Sequence, residues 1–484
     1  MQIHLLGHAT LFIEAADCRI LMDPVLWDPF CEGLNASCPA REIDVDRIPD
    51  YDVLVISHRH LDHFDLRSLA YLPKHVDVLI PADKLLRNCL RQMGYSKIYA
   101  LQDFSKVVFG KTTLLTTRSE VRVPEFGLIV SDPSGTFWNT VDTLFAPPTI
   151  RKVLETYPSI DFMLGTWHIS MEGDQQYNKP LTFPTELYGQ LLSIYDLIHP
   201  KTFAPGAQGF KYIGSSAWQN QTVFPTTRER FCYDLAQVLP KTQIIEMNPG
   251  DLVELAAGQT THHPQACPFA RTLVDDRYLL DFAPVLAGSD WRDPNPEGYD
   301  ESLLVQEIRQ EIEQEWPAFL QAQQTLFFSD MQRWQVIYQL QVQFPSGPQY
   351  WSINFGQEPI QIQPGRNPLA NFFVFITAST FYSLLHRIRD WDYVTCSGEY
   401  RTFNKVYRVH PMGTLKPDPA VLLDPLSLKL SSAYVAENNI HRDLERILQS
   451  PDFVQATQVE SSDDGYMMSL GKSLIKVRKK KVAG

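Results

Sequence analysis

A continuous apolar run, Asp52-Val-Leu-Val-Ile-Ser57, ends abruptly in His58-Arg59-His60-Leu61-Asp62-His63. Such a run reads as a strand buried on both faces, as in a parallel sheet covered by helices. Three imidazoles and one carboxylate within six residues then leave the end of a stiff strand. Side chains placed there are fixed by the sheet and face open space, which suits metal chelation. The alternating pair His58 and His60 can grip one cation, and the adjacent pair Asp62 and His63 a second one nearby. Neutral imidazoles with carboxylate oxygens suit zinc, and also iron or manganese. The feature predicts an α/β fold organised around a metal-bearing strand end.

The flanking sequence supports this. Residues 1 to about 257 alternate short strands (near 4–6, 11–14, 18–22, 78–80, 97–100, 113–117, 127–131 and 162–165) with helices near 83–93 and 185–197. Residues 258–298, rich in Pro, His, Thr, Asp and Gly, read as a connector. From 299 a helix with Leu304, Ile308 and Ile312 four apart leads into strands and a second helix, a smaller α+β domain at 299–412. The remainder, 413–484, reads as a C-terminal helix and a basic tail. A chain of 484 residues exceeds one core, so several domains are expected.

The net charge of -13 argues against nucleic acid as a bulk partner, which calls for a basic face. The tail Lys472 to Lys481 runs against this balance, and it reads either as a solvated terminus or as a peripheral membrane contact. Seven scattered cysteines without a Cys-x-x-Cys pair suggest reduced thiols. Met1-Gln-Ile-His-Leu-Leu reads as a strand rather than a leader. The most apolar stretch, 370–385, falls short of the ~20 residues a transmembrane span needs. The expectation is a cytoplasmic protein acting on a small-molecule or lipid-like substrate, with its oligomeric state open.

His58-Arg-His60-Leu-Asp62-His63 is similar to the H-x-H-x-D-H motif of the metallo-β-lactamase superfamily. Gly7-His8-Ala9-Thr10 and Ile20-Leu-Met-Asp23-Pro24 resemble the opening of one branch. That branch holds N-acyl-phosphatidylethanolamine phospholipase D, ascorbate-phosphate lactonases and CMP-N-acetylneuraminate hydroxylase. The resemblance spans roughly residues 1–250. It implies an αββα sandwich with two divalent metals at one edge, and a shaping role beside the site for His8. It also implies a metal-bridging Asp at a strand end, assigned to Asp132 in Gly127-Leu-Ile-Val-Ser-Asp132; otherwise Asp132 merely starts the turn before Pro133.

The family's later histidines have no clear match. Near 116–121 there is none, and Glu120 is the oxygen ligand expected in its place, unless it is an exposed strand-end carboxylate. The last histidine's position is held by Ala207, in Pro205-Gly-Ala207-Gln208-Gly209. His199 reads as a helix-end residue. His168, after Gly165-Thr-Trp167, is a further candidate ligand or else a packed side chain.

The resemblance implies hydrolysis of an ester, amide or phosphodiester by a metal-activated hydroxide, with Asp62 or Asp132 orienting the nucleophile. Zinc would serve that chemistry. A Glu120 ligand would harden the site toward iron or manganese and a di-iron oxygenase, the alternative. No Cys-x-His pair exists in the 484 residues, so that enzyme would need an external reductant. A non-catalytic binding protein is the third reading. The order of helix, strands and Ile376-Thr-Ala-Ser-Thr-Phe-Tyr-Ser-Leu-Leu385 resembles sterol-carrier-protein-type domains, which implies an apolar pocket. Trp334, Tyr338, Trp351, Phe355, Phe373 and Phe375 otherwise read as core aromatics.

Overall fold

The computed structural model describes residues 1–484 apart from 121–122, 168, 177–182, 208, 283–291, 368, 405, 411–412, 431–434, 451–452, 454–464, 471–472 and 479–484. Two large sheets face each other. The first runs, edge to edge, Gln259–His263, Leu252–Ala256, Gln2–Gly7, Thr10–Glu14, Arg19–Met22, Val53–Val55, Asp77–Pro81 and Ile98–Leu101. The second contains Gln243–Ile244, Thr202–Pro205, Phe162–Gly165, Gly135–Asn139, Phe126–Asp132, Thr112–Arg118 and Lys106–Phe109.

The period-two alternation of strands sorts their side chains into separate layers. Leu5, Leu11, Ile20, Val53 and Val55 meet Leu114, Leu128, Val130 and Phe137 between the sheets. Their neighbours Leu6, Phe12, Leu21, Leu54 and Ile56 face outward against the helices Leu66–Tyr71 and Lys84–Gln92. Ile129, Trp138, Met163 and Phe203 do the same against the helices Pro147–Thr156, Thr185–Ile198 and Arg228–Val238. Both faces of each sheet are covered, giving the αββα sandwich.

The stretch read as a connector is partly sheet. Gln259–His263 extends the first sheet, and Ala270–Val274 pairs with Ala40–Ile43. The C-terminal segment also returns to the sandwich. Val435–Leu448 buries Leu444 against the outer face of the first sheet. The basic tail is sheet rather than a frayed end over Ser473–Arg478, which lies parallel to Lys106–Phe109, and Lys476 pairs with Asp77. Ile475 and Val477, two apart with Lys476 between them, fit a strand, and the lysine count hid it.

The second unit has a five-stranded sheet in the order Gln361–Pro364, Gly347–Asn354, Ile337–Phe344, Phe372–Thr377 and Tyr400–Asn404. The helix expected at 299–324 forms as Glu301–Gln310 and Trp316–Phe327, joined by a π-turn at Glu311–Glu315. Leu304, Ile308, Ile312 and Trp316 pack on this sheet with Tyr338, Trp351 and Phe355. Phe373 and Phe375 lie half-buried on its opposite face. No helix of the described residues is long and apolar enough to cross a membrane.

Candidate metal centre

The strand Val53–Val55 lies between Arg19–Met22 and Asp77–Pro81, parallel to both. Ligands in open α/β sheets collect beyond the carboxyl ends of such strands. Two of these ends carry the site. Asp23 leaves the first strand with φ of 44° and donates its backbone N–H to the Val55 carbonyl at 2.9 Å. Its fully buried carboxylate accepts from the Ser57 N–H (2.7 Å) and the Ser57 hydroxyl (2.7 Å), and lies 2.9 Å from His63 Nδ1.

These contacts fix the tautomers. The Ser57 hydroxyl proton is committed to Asp23, so its oxygen accepts from His58 Nδ1 at 2.9 Å. His63 Nδ1 likewise donates to Asp23. Nε2 is therefore the nitrogen of each ring turned to the cluster, the one that a metal would ligate. Both atoms are buried and without a hydrogen-bond partner among the described residues, as is Asp142 Oδ1. Unsatisfied buried polar atoms are costly, and a cation would satisfy all three.

Ligand atoms converge in three overlapping triads, within 4.8 Å of one another in each: His58, His60 and Asp62; His58, His63 and Asp142; His8, Asp62 and His63. His63 Nε2 is 3.3 Å from Asp142 Oδ2 and 3.6 Å from Asp62 Oδ2, and His58 Nε2 is 3.9 Å from Asp142. His8 Nε2 lies 3.1 Å from Asp62 Oδ2. Burial, then the neighbouring His63, holds His58 well below the ordinary imidazole range. Burial opposes ionisation of Asp142, yet His63 beside it keeps the carboxyl below its usual value. Burial works against the charged form of His63, yet Asp62 and Asp142 beside it raise that imidazole well above its ordinary range, so a cation would take the place of its Nε2 proton. Imidazole nitrogens beside ionised carboxylates are a cation-binding combination, and these residues fit a pair of divalent metals.

The local sequence explains the placement. Arg59, between the two histidines, turns away and forks onto Asp83 at 2.6 and 2.8 Å, at the N-terminus of the helix Lys84–Gln92. That anchor leaves His58 and His60 on the open side. Gly7, with φ of 137°, lets buried Arg41 cross the turn before His8; a Cβ there would stand 2.4 Å from that side chain. Arg41 donates to the Leu6 and Val25 carbonyls and ties the His8 turn to the loop after Asp23.

Asp132 is not at this cluster. It starts the hairpin turn at the far end of its strand, where its carboxylate accepts from the Ala16 and Ser134 N–H groups at 2.8 and 2.7 Å. The near end is Phe126, whose N–H reaches the Ser57 carbonyl at 3.3 Å. The chain reverses at Asp132 and runs back through Gly135–Asn139, and so the carboxylate delivered to the site is Asp142. Glu120 is exposed and pairs with Arg118 at 3.1 Å, outside all three triads. His168 and Gln208 lie outside the described residues. His199 is the left-handed C-cap of the helix Thr185–Ile198. Ala207, at φ of 59°, is buried and offers no ligand atom.

The second unit borders the site. Glu32, in the loop whose Phe30 ring stacks on His8, pairs with Arg389 at 3.2 Å. The Cys396 carbonyl accepts from Gln219 at 2.7 Å, and Gly398, at φ of 74°, packs so tightly that a Cβ would meet Trp218 at 2.6 Å.

Comparison with known proteins agrees with this geometry. Residues 2–123 match the family model of a β-lactamase superfamily domain. A "Putative Rieske 2Fe-2S iron-sulfur protein" of Mycolicibacterium smegmatis is 32% identical over 174 residues, 32% of each chain. A Mycobacterium tuberculosis protein of similar description is 31% identical over 116 residues, 22% of this chain and 21% of its own. The chain thus spans about a third or less of the length of these curated relatives. Among solved structures it is similar to an isothiocyanate hydrolase from Delia radicum gut bacteria (18% identity, TM-score 0.38, 53% of this chain and 100% of that one). It is also similar to CmlA, a diiron β-hydroxylase from Streptomyces venezuelae (18%, 0.33, 43% and 45%). At these scores neither likeness carries a functional argument. By its N-terminal motif and family match, the chain carries a β-lactamase superfamily domain over residues 2–123.

Proposed function

We propose that this protein is a metal-dependent hydrolase holding two divalent cations among His58, His60, Asp62, His63 and Asp142, and that it cleaves an ester, amide or phosphodiester bond. The observation that carries this reading is the set of buried ligand atoms, His58 Nε2, His63 Nε2 and Asp142 Oδ1, left at one point without hydrogen-bond partners among the described residues. A bound cation pair supplies an activated water and polarises the oxygen of the scissile group. The chain's part is to hold the Nδ1 of both imidazoles on Ser57 and Asp23, so that Nε2 is free to ligate, and to present Asp62 and Asp142 as acceptors that orient the nucleophile.

Zinc is the proposed metal. The argument for a harder site rested on Glu120, which stands apart, and the donor set that converges is imidazole-rich. The substrate is proposed to be a small or lipid-like molecule, met in the cytoplasm. A second reading, oxidation at two irons, draws support from the likeness to mycobacterial proteins named for a Rieske cluster.

Elemental analysis and visible spectroscopy of the full chain purified without chelators, followed by assay on p-nitrophenyl acetate, a p-nitroanilide and bis-p-nitrophenyl phosphate, test both. About two zinc ions per chain and metal-dependent turnover of one substrate are expected. Two irons with a visible charge-transfer band and no turnover would favour oxidation. No metal, before or after reconstitution, would overturn both.

A further inference from the structure

A cavity of about 360 Å³ opens behind the metal centre, between the two sheets. Its lining combines apolar side chains, Leu5, Leu164 and Met247 among them, with the charged Arg228, Glu229, Asp275, Arg277 and Asp281, and exposed Tyr278 stands at its mouth. Ala207 lines it where a larger side chain would fill space. Protein interiors are close-packed, and a void of this size is far above ordinary packing defects. A cavity on the order of 150 Å³ lined by aliphatic side chains already accepts benzene.

Two polar side chains of the lining are buried and leave an atom unpaired. His8 and Thr226 are 4% and 5% exposed, and His8 Nδ1 and Thr226 Oγ1 have no hydrogen-bond partner among the described residues. His8 Nε2 faces the Asp62 carboxylate at 3.1 Å, and a carboxylate accepts, so the ring carries its proton on Nε2. Nδ1 is then an acceptor awaiting a donor. The Thr226 hydroxyl can donate or accept.

We propose that this cavity is a binding site for a neutral, mostly apolar molecule carrying one hydroxyl or amide N–H, which donates to His8 Nδ1 and bonds Thr226. The lining arginines are already paired, Arg228 with Glu246 and Arg277 with Asp275 and Glu229, so neither calls for an anionic occupant, and a pure hydrocarbon would leave both unpaired polar atoms unsatisfied. Because His8 also touches Asp62, the occupant sits one side chain away from the metal cluster without entering it.

Benzyl alcohol and toluene, matched in shape and differing in the donor, distinguish this site. Titration calorimetry and saturation-transfer NMR would be run on the full chain, metal-loaded and after chelation, so that failure of the metal reading does not decide the outcome. Saturable binding of benzyl alcohol is expected in both states, with toluene weaker by about tenfold, the contribution of one hydrogen bond to an otherwise unpaired group. Thr226→Val, close to isosteric, should weaken the alcohol severalfold and leave toluene unchanged, whereas Leu164→Phe should weaken both by filling the cavity. Absence of saturable binding, equal affinity for the two probes, or affinities that neither substitution alters would overturn the proposal.

Discussion

His58, His60, Asp62 and His63 leave one strand end within six residues, whereas Asp142 reaches the same cluster from the opposite sheet after a hairpin that begins ten residues earlier at Asp132. The first half is local. Its candidate ligands share a loop, Ser57 and Asp23 hold the Nδ1 atoms of His58 and His63, and Arg59 pins the loop to the next helix. The second half depends on where a strand starts and stops. One extra or missing turn would deliver another carboxylate. The difference teaches that a ligand set can be dense in sequence on one side of a sandwich and sparse on the other, since the two sheets contribute independently.

The largest test removes a residue from the dense half. His58 belongs to two of the three triads, so His58→Ala is expected to bring both metals to background in elemental analysis after dialysis. Retention of two ions would break the proposed cluster. Next comes the sparse half. Asp142→Asn keeps the shape and removes the charge, and metal affinity measured by competition with a chromogenic chelator should fall by more than the roughly 10–100-fold typical of outer partners. An unchanged affinity would leave the site to one sheet alone.

Asp23→Asn tests the support beneath the dense half. It weakens the acceptor that holds Ser57 and His63, and metal affinity should drop by about 10–100-fold while the circular dichroism spectrum is retained. A change below twofold would show that the tautomers are set elsewhere. The smallest effects sharpen the contrast with the two displaced carboxylates. Asp132→Asn should cost roughly 1 kcal/mol in urea unfolding through its turn hydrogen bonds and leave metal content intact. Glu120→Ala should stay within about 0.5 kcal/mol of the parent and keep full metal content. Loss of one metal in either variant would restore the arrangement that the sequence suggested.

The legibility of this chain follows the same division. His58 through His63 were readable because ligand chemistry and strand end coincide in one short segment. Asp132 misled because it ends an apolar strand, yet Asp132-Pro-Ser-Gly135 is a turn signal as well, and turn chemistry placed it at the distal end. Asp142 had a weak signal, a carboxylate just beyond the returning strand. Asp23 was visible only as part of a familiar phrase; that it orients His63 required the parallel pairing of its strand with Val53–Val55. The C-terminal strand Ser473–Arg478 was hidden by its lysines, because β pairing with Lys106–Phe109 is a long-range event that charge composition does not encode.

The sequence by itself determined that a buried parallel strand ends in a loop dense in candidate metal ligands, that a sandwich surrounds it, and that Ala207 stands where the resemblance called for a last histidine. Periodicity and ligand spacing are local properties, and they survive in any fold that keeps the strand. The tertiary structure decided which second-sheet carboxylate joins the loop, which nitrogen of each imidazole faces it, and that Ser473–Arg478 extends the second sheet. Those depend on register and on the direction in which a strand returns, and these are settled only when two sheets pack face to face.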